Sequence, residues 1–171
     1  VAESQAEDEM YRRQSGRVYD WLKRNDRDMS DCTGDSPVRV LTRTQLLGRR
    51  TLAVHCNYLD ESDIALLAGS GTHVVHCPSS HAYFGHTPFK AEELRAAGVN
   101  LCLGTDSLAT TRKSRGRKPT LNLFGEMRFF AETNPGFTPL ESLRMATTNG
   151  AEALGLPGRR GTLAPGADAD L

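Results

Sequence analysis

With 171 residues, 38% of them hydrophobic and 25% charged, the chain has the composition of a folded globular domain rather than a disordered segment. Lysine plus arginine balance aspartate plus glutamate at 21 each, so no overall field draws it to nucleic acid or to an anionic membrane. No window approaches the ~18 consecutive apolar residues of a membrane span, and the acidic opening VAESQAEDEM is unlike the basic-then-apolar start of a signal peptide. These features predict a cytoplasmic protein, partnered by neither nucleic acid nor membrane, with a homo-oligomer left open.

In chain order, Ala6 to Asn25 reads as a helix with an apolar stripe through Met10, Val18, Trp21 and Leu22, interrupted at Gly16. A polar, turn-rich loop, DRDMSDCTGDSP, separates it from a second helix over Val38 to Leu47. From Thr51 the pattern alternates between short β-branched runs and amphipathic helices, as parallel βα units do. The strands are expected at Thr51 to Cys56, Thr72 to Cys77 and Asn100 to Thr105, with helices over Asp60 to Ala68 and Lys90 to Ala97, each closed by a glycine. A basic run, TTRKSRGRKP, follows; it either clamps an anionic substrate group or is a solvated loop. Two further helices are predicted at Leu121 to Glu132 and Pro139 to Leu154, the latter opened by a capping box of Thr138 and Glu141. The last residues, GTLAPGADADL, read as the approach to another strand.

Each predicted strand ends in a polar residue: His55 in LAVHCNYL, His76 in HVVHCPSSH and Asp106 in LCLGTDS. In a (β/α)8 barrel or an open doubly wound sheet, active sites are built at the carboxyl ends of the strands. There a carboxylate such as Asp106 can ligate a cation and accept a proton from metal-bound water, or else simply cap a helix. The repeated His-Cys pairs suggest a Cys2His2 zinc site, but neighbouring residues of a strand point to opposite faces, which argues against it. Cys56, Cys77 and Cys102 sit within or at the end of apolar runs, where reduced thiols act as small hydrophobes. His73 and Met145 read as structural.

The segments LAVHCNYLDESDIALLAGSGTHVVHCPSS, AAGVNLCLGTDS, LFGEMR, ESLRMATTNGAEALGL and GTLAPGADADL resemble, in order and spacing, the amidohydrolase-superfamily branch of methylthioadenosine and adenosylhomocysteine deaminases, guanine deaminase and triazine hydrolases. The resemblance covers nearly the whole chain. It implies an α/β fold, a partial (β/α)8 TIM barrel from the end of the fifth strand through the eighth with C-terminal helices. Residues 1–160 would form the C-terminal half of the barrel, and residues 161–171 the start of the return into a small β domain. It also implies one divalent metal ion, zinc first, with iron or manganese as alternatives. The implied ligands are a His-x-His pair on the first strand, a His on the fifth and an Asp on the eighth.

On this resemblance Asp106 matches the metal-binding aspartate, and His55 the histidine that polarises substrate or steadies the attacking hydroxide. Glu3, within VAES, matches the proton-shuttling glutamate of an H-x-x-E element whose histidine would precede Val1. Without the resemblance Glu3 is a solvated terminal carboxylate. The family's usual Asn after the serines is replaced in SSHAYFGHTPF, read as a loop after its strand, which places His81, Tyr83, Phe84 and His86 over the expected pocket. His81, Phe84 and His86 are therefore candidate substrate-binding residues, and His76, which has no ligand role in the family scheme, joins them as a pocket-shaping residue. The implied activity is hydrolysis of a carbon–nitrogen bond, most simply deamination of an aminopurine-like heterocycle or nucleoside. A chlorohydrolase or amide hydrolase, or a non-catalytic half-barrel, are the alternatives, and the 171 residues alone are expected to be inactive.

Overall fold

The computed structural model describes residues 1–110 and 120–168. Among these, three parallel strands, β1 (Leu52–Val54), β2 (His73–His76) and β3 (Leu101–Leu103), form a sheet in the order β1-β2-β3. The register aligns Ala53 with Val74 and Val74 with Leu101, and sets His76 beside Leu103. Val1 adds the two hydrogen bonds of a parallel pair on the far side of β1: its amine donates to Val54 O (2.9 Å), and its carbonyl accepts from Cys56 N (3.1 Å).

The helices are α1 (Gln5–Arg13), α2 (Arg17–Arg24), α3 (Pro37–Arg43), α4 (Glu61–Ser70), α5 (Pro78–Phe84), α6 (Ala91–Ala96), α7 (Leu123–Thr133), α8 (Pro139–Ala146) and α9 (Thr148–Ala153). None is long and apolar enough to cross a membrane. Gly16, at φ 98°, separates α1 from α2 where the sequence places the interruption. Helix α4 opens on a reciprocal Asp60–Asp63 capping box and closes on Gly71 in the left-handed region. The Thr138–Glu141 box opens α8 as expected.

Two expectations need correction. The single helix over Pro139 to Leu154 is broken at Thr147 (φ −130°, ψ −90°), whose hydroxyl donates to Leu143 O at 2.7 Å. A threonine hydroxyl that bonds the preceding turn competes with continuation of the helix. The segment SSHAYFGHTPF, read as a loop, instead contains most of α5. Pro78 occupies the first turn of α5, and Gly85 (φ 67°) supplies its left-handed exit.

Ala53, Val74, Leu101 and Leu103 meet Ile64, Leu67, Leu94, Phe130 and Met145 in one core on the helix side of the sheet. Leu52 and Val54, which alternate with Ala53, are 39% and 37% exposed on the other side. Phe130 and Phe137 meet edge-on at 5.0 Å within the core. A polar knot ties α1, α3 and α4 together. Buried Asp63 accepts from Arg12 Nη2 (2.8 Å), from the Ser36 hydroxyl and from Asp60 N (3.1 Å), and Arg12 also bridges Asp8 and Asp60.

The four cysteines are free and buried. His73 is structural, as expected, its ring nitrogens facing Arg49 O (3.1 Å) and the Asn100 amide (2.9 Å). Residues 161–168 form no strand, and Asp168 folds back onto Arg159 and Arg160. Residues 111–119 of the basic run, and 169–171, lie outside the described residues.

Candidate active site

β1 ends just before His55, β2 ends on His76, and β3 ends three residues before Asp106. There the backbone turns sharply: His55, Cys56 and Asp106 lie in the left-handed region at φ 75°, 51° and 54°. His and Asp tolerate that region better than most side chains, yet such positions still cost about 1–3 kcal/mol each and persist only where their surroundings fix them. Here His55 N donates to Val75 O (2.9 Å), Cys56 N to Val1 O (3.1 Å), and the N–H groups of Asn57 and Tyr58 to Ala2 O (2.9 and 3.0 Å). The side chain of Cys56 is turned into the core, and its thiol faces Ala53 O. His55 and Cys56 thus diverge because the strand has ended, and not through strand alternation.

These contacts bring Glu3 to His55. Glu3 Oε1 lies 3.7 Å from His55 Nε2, the imidazole being 16% and the carboxylate 42% exposed. That spacing permits an ion pair when the imidazole is protonated, but it is too long for a hydrogen bond. The Glu3 main chain is gripped from both sides: its N–H donates to Glu7 Oε2 (2.7 Å), and its carbonyl accepts from Asn57 Nδ2 (2.9 Å). Glu7 itself is fixed at the start of α1, where its N–H meets the Ser4 hydroxyl.

Asp106 stands at the same end of the sheet, exposed, beyond the buried Cys77. Burial pushes the Cys77 thiol up to about 12, and the charges of Asp106, Glu126 and Glu3 add to the effect while the Asp106 N–H opposes it. Cys77 is therefore a neutral thiol between the two candidate carboxylates. Gly104 is closely packed here, since a Cβ would sit 3.0 Å from Val75 Cγ1 and 3.2 Å from Cys77 Sγ.

Helix α5 brings up the remaining groups. His81 Nδ1 lies 3.0 Å from Asn57 Oδ1, and His86 Nδ1 lies 3.2 Å from the Tyr58 hydroxyl. The two imidazoles meet at 5.4 Å, and Phe84 tilts against His86 at 5.7 Å. Tyr83 and Phe84 are 51% and 52% exposed, an aromatic pair meeting edge-on at 5.1 Å. Burial lowers both imidazoles from their ordinary range. For His81 the neighbouring His86 and His55 add to this, against the Thr87 main chain; for His86 the Glu3 charge opposes it.

His76 is placed differently. It shares the helix-facing side of β2 with Val74, stacks on Phe89 (3.9 Å, 8°), and meets His81 and Phe130 edge-on. It lines a cleft of about 300 Å3 with Pro78, His81, His86, Phe89 and Phe129. Burial, with His81 and His55, lowers its pKa to about 3, and its buried Nδ1 has no hydrogen-bond partner.

Sequence reasoning missed Asn57, Tyr58, Glu7 and Glu126. The buried Glu126 carboxylate accepts from Ser79 N (2.8 Å) and so anchors the start of α5. Its one sequence signal was the segment LFGEMR, which carried resemblance but no assigned role.

Among the described residues no three His, Cys, Asp or Glu side chains converge to hold a metal ion. Of the ligands the resemblance implies, Asp106 alone has a match in this sequence, and one carboxylate falls short of the three protein ligands of a typical catalytic zinc. The residues present do not form a metal site by themselves.

The amidohydrolase family model matches residues 25–171. The chain belongs to the amidohydrolase family. It is 41% identical over 145 residues to a 5-methylthioadenosine/S-adenosylhomocysteine deaminase of Syntrophobacter fumaroxidans, covering 81% of this chain and 32% of that protein. Among solved structures it resembles an adenosine deaminase from Xanthomonas campestris with bound zinc, at a TM-score of 0.77 and 30% identity, over 99% of this chain and 35% of that one. It also resembles the zinc complex of atrazine chlorohydrolase from Arthrobacter aurescens, at a TM-score of 0.70 and 27% identity, over 82% and 32% of the two chains. The chain spans about a third of the length of the curated relatives it matches.

Proposed function

We propose that residues 1–171 form the part of a metal-dependent amidohydrolase running from the end of the fifth barrel strand through the eighth, with residues 161–171 leading toward a small β domain. The activity is hydrolytic deamination of an aminopurine-like nucleoside or related heterocycle. The observation that carries this reading is the convergence of Glu3 and His55 at one end of a parallel sheet, beside Asp106, in a chain whose deaminase relatives match it across most of its length.

Each residue has a role suited to its setting. Glu3, partly exposed and held by its main chain, takes a proton from the attacking water and delivers it to the ring nitrogen, and then carries that water's second proton to the leaving amine as the C–N bond breaks. His55, more buried and 3.7 Å away, steadies charge that develops on the reacting centre. Asp106 would contribute one ligand to a divalent ion, zinc first, which would supply an activated water. Tyr83, Phe84, His81 and His86 offer an uncharged aromatic surface to a planar substrate. A chlorohydrolase is the second reading, favoured by the likeness to atrazine chlorohydrolase.

The test measures ammonia release from aminopurine nucleosides and chloride release from a chlorotriazine by the intact protein. Ammonia is expected. Glu3→Gln and His55→Asn are expected to lower turnover at least about 10²-fold with metal content retained. Chloride without ammonia would establish the second reading, and loss of metal in either variant would show that the roles are misassigned.

A further inference from the structure

Asn57 is 3% exposed and stands two residues beyond His55, where the chain leaves β1. Its two side-chain atoms face different partners. The amide Nδ2 lies 2.9 Å from the carbonyl oxygen of Glu3, and Oδ1 lies 3.0 Å from Nδ1 of His81 on α5. A carbonyl oxygen can only accept, so the atom facing Glu3 must be the NH2 group. Oδ1 is then the atom facing His81, and it too can only accept. His81 must therefore carry its proton on Nδ1. Burial and the neighbouring His86 and His55 keep that imidazole below its ordinary range, against the Thr87 main chain, which favours the charged form.

We propose that Asn57 is a positioning residue that clamps the Glu3 main chain and the His81 ring to each other, so that the aim of Glu3 at His55 is set jointly with the seating of α5. Its bearing on catalysis rests on the deaminase reading above; the tether and the tautomer do not. Three further contacts make the clamp stiff. Glu7 fixes the Glu3 N–H from the opposite side, at 2.7 Å. The main chain of Asn57 is bound to Ala2 O. Glu126 holds the first turn of α5 through Ser79 N, two residues before His81 N closes that turn on Cys77 O. With these ends fixed, removing the Asn57 amide frees the Glu3 carbonyl and lets His81 turn. Displacing a catalytic group by about 1 Å can cost on the order of 10²-fold in rate.

The experiment uses the intact protein labelled with 15N at histidine. A long-range 1H–15N correlation spectrum at pH 8 is expected to show His81 protonated on Nδ1, and Asn57→Leu to abolish that preference while circular dichroism is unchanged. In turnover assays Asn57→Leu is expected to lower kcat about 10- to 100-fold with KM little altered, because what it loses is the aim of a group and not a substrate contact. Asn57→Asp separates the two grips. Its carboxylate still accepts from His81 but cannot donate to the Glu3 carbonyl, so the Nδ1 proton should remain while kcat falls. This isosteric variant also carries the test should the Leu variant not fold.

A wild-type His81 protonated on Nε2 would overturn the proposal, as would an unchanged His81 spectrum in folded Asn57→Leu. Full kcat in either folded variant would overturn the catalytic part. The spectrum reads the tether whether or not ammonia is released, so a failed deaminase assignment and a failed clamp give different results.

Discussion

Replacing His76 with Phe should remove much of the acid sensitivity of this fold without weakening it at neutral pH. The imidazole is 3% exposed, stacked on Phe89, and has an unpartnered Nδ1. Its folded-state pKa of about 3 lies below the ordinary 6.5, so between these values the unfolded chain binds a proton that the folded one does not. Stability from this residue is therefore fully present above about pH 6.5 and lost as pH falls toward 3. At ~1.36 kcal/mol per pH unit, lowering pH from 7 to 5 removes about 2 kcal/mol. A phenyl ring keeps the stack and has no titrating group. It also removes a buried polar atom without a partner, a defect worth ~1–3 kcal/mol. Urea unfolding of the wild-type and His76→Phe proteins at pH 7 and pH 5 gives the double difference directly. The other carboxylates and imidazoles are common to both proteins and cancel. Equal acid losses in the two proteins, within ~0.5 kcal/mol, would refute the reasoning.

Asp63→Ala leaves Arg12 and Ser36 facing an emptied buried site; breaking such a pair costs ~3–5 kcal/mol, and the lower end is expected because Arg12 keeps Asp8 and Asp60, as denaturant unfolding would read. Gly104→Ala forces a methyl against Val75 and Cys77 two residues before Asp106; a loss of ~1–3 kcal/mol in thermal or urea unfolding is expected, and an unchanged midpoint would contradict the close packing. Asp106→Asn in the intact protein should weaken metal binding and abolish ammonia release, checked by metal analysis and assay together.

The strands and their chemistry were legible because apolar, β-branched runs ending in His55, His76 and Asp106 recur at the spacing of βα units. What the pattern of strand ends did not separate was the facing of each side chain. His76 follows Val74 by two residues and shares its helix-facing side, and by alternation His55, two residues after Ala53, would lie there too; the left-handed turn after Val54, which no strand pattern announces, takes His55 to Glu3 instead. Helix α5 was hidden for another reason. Seven residues with two aromatics carry little helical period, although Pro78 and Gly85 bracket them as first-turn and exit residues do. Asn57 and Glu126 could not be found from local pattern, because their partners, Glu3 and Ser79, lie 54 and 47 residues away in the chain.

The left-handed turns at His55 and Asp106 connect these observations. A strand that continued in regular pleat would send alternate residues to opposite faces, and only some of the groups could meet. By ending β1 at Val54 and β3 at Leu103 and then reversing the sign of φ, the chain lifts His55 and Asp106 out of that alternation at the same end of the sheet. The strain is held by neighbours that themselves form the site. Val1 and Ala2 fix the turn at Cys56 and Asn57, and the next residue in that same segment is Glu3. Asn57, thus placed, returns a hydrogen bond to Glu3 and takes one from His81. Order in the site thus comes from a few reciprocal main-chain bonds near residues 1–3 and 55–58, and changes there should act on catalysis more strongly than equal changes in the helices behind the sheet.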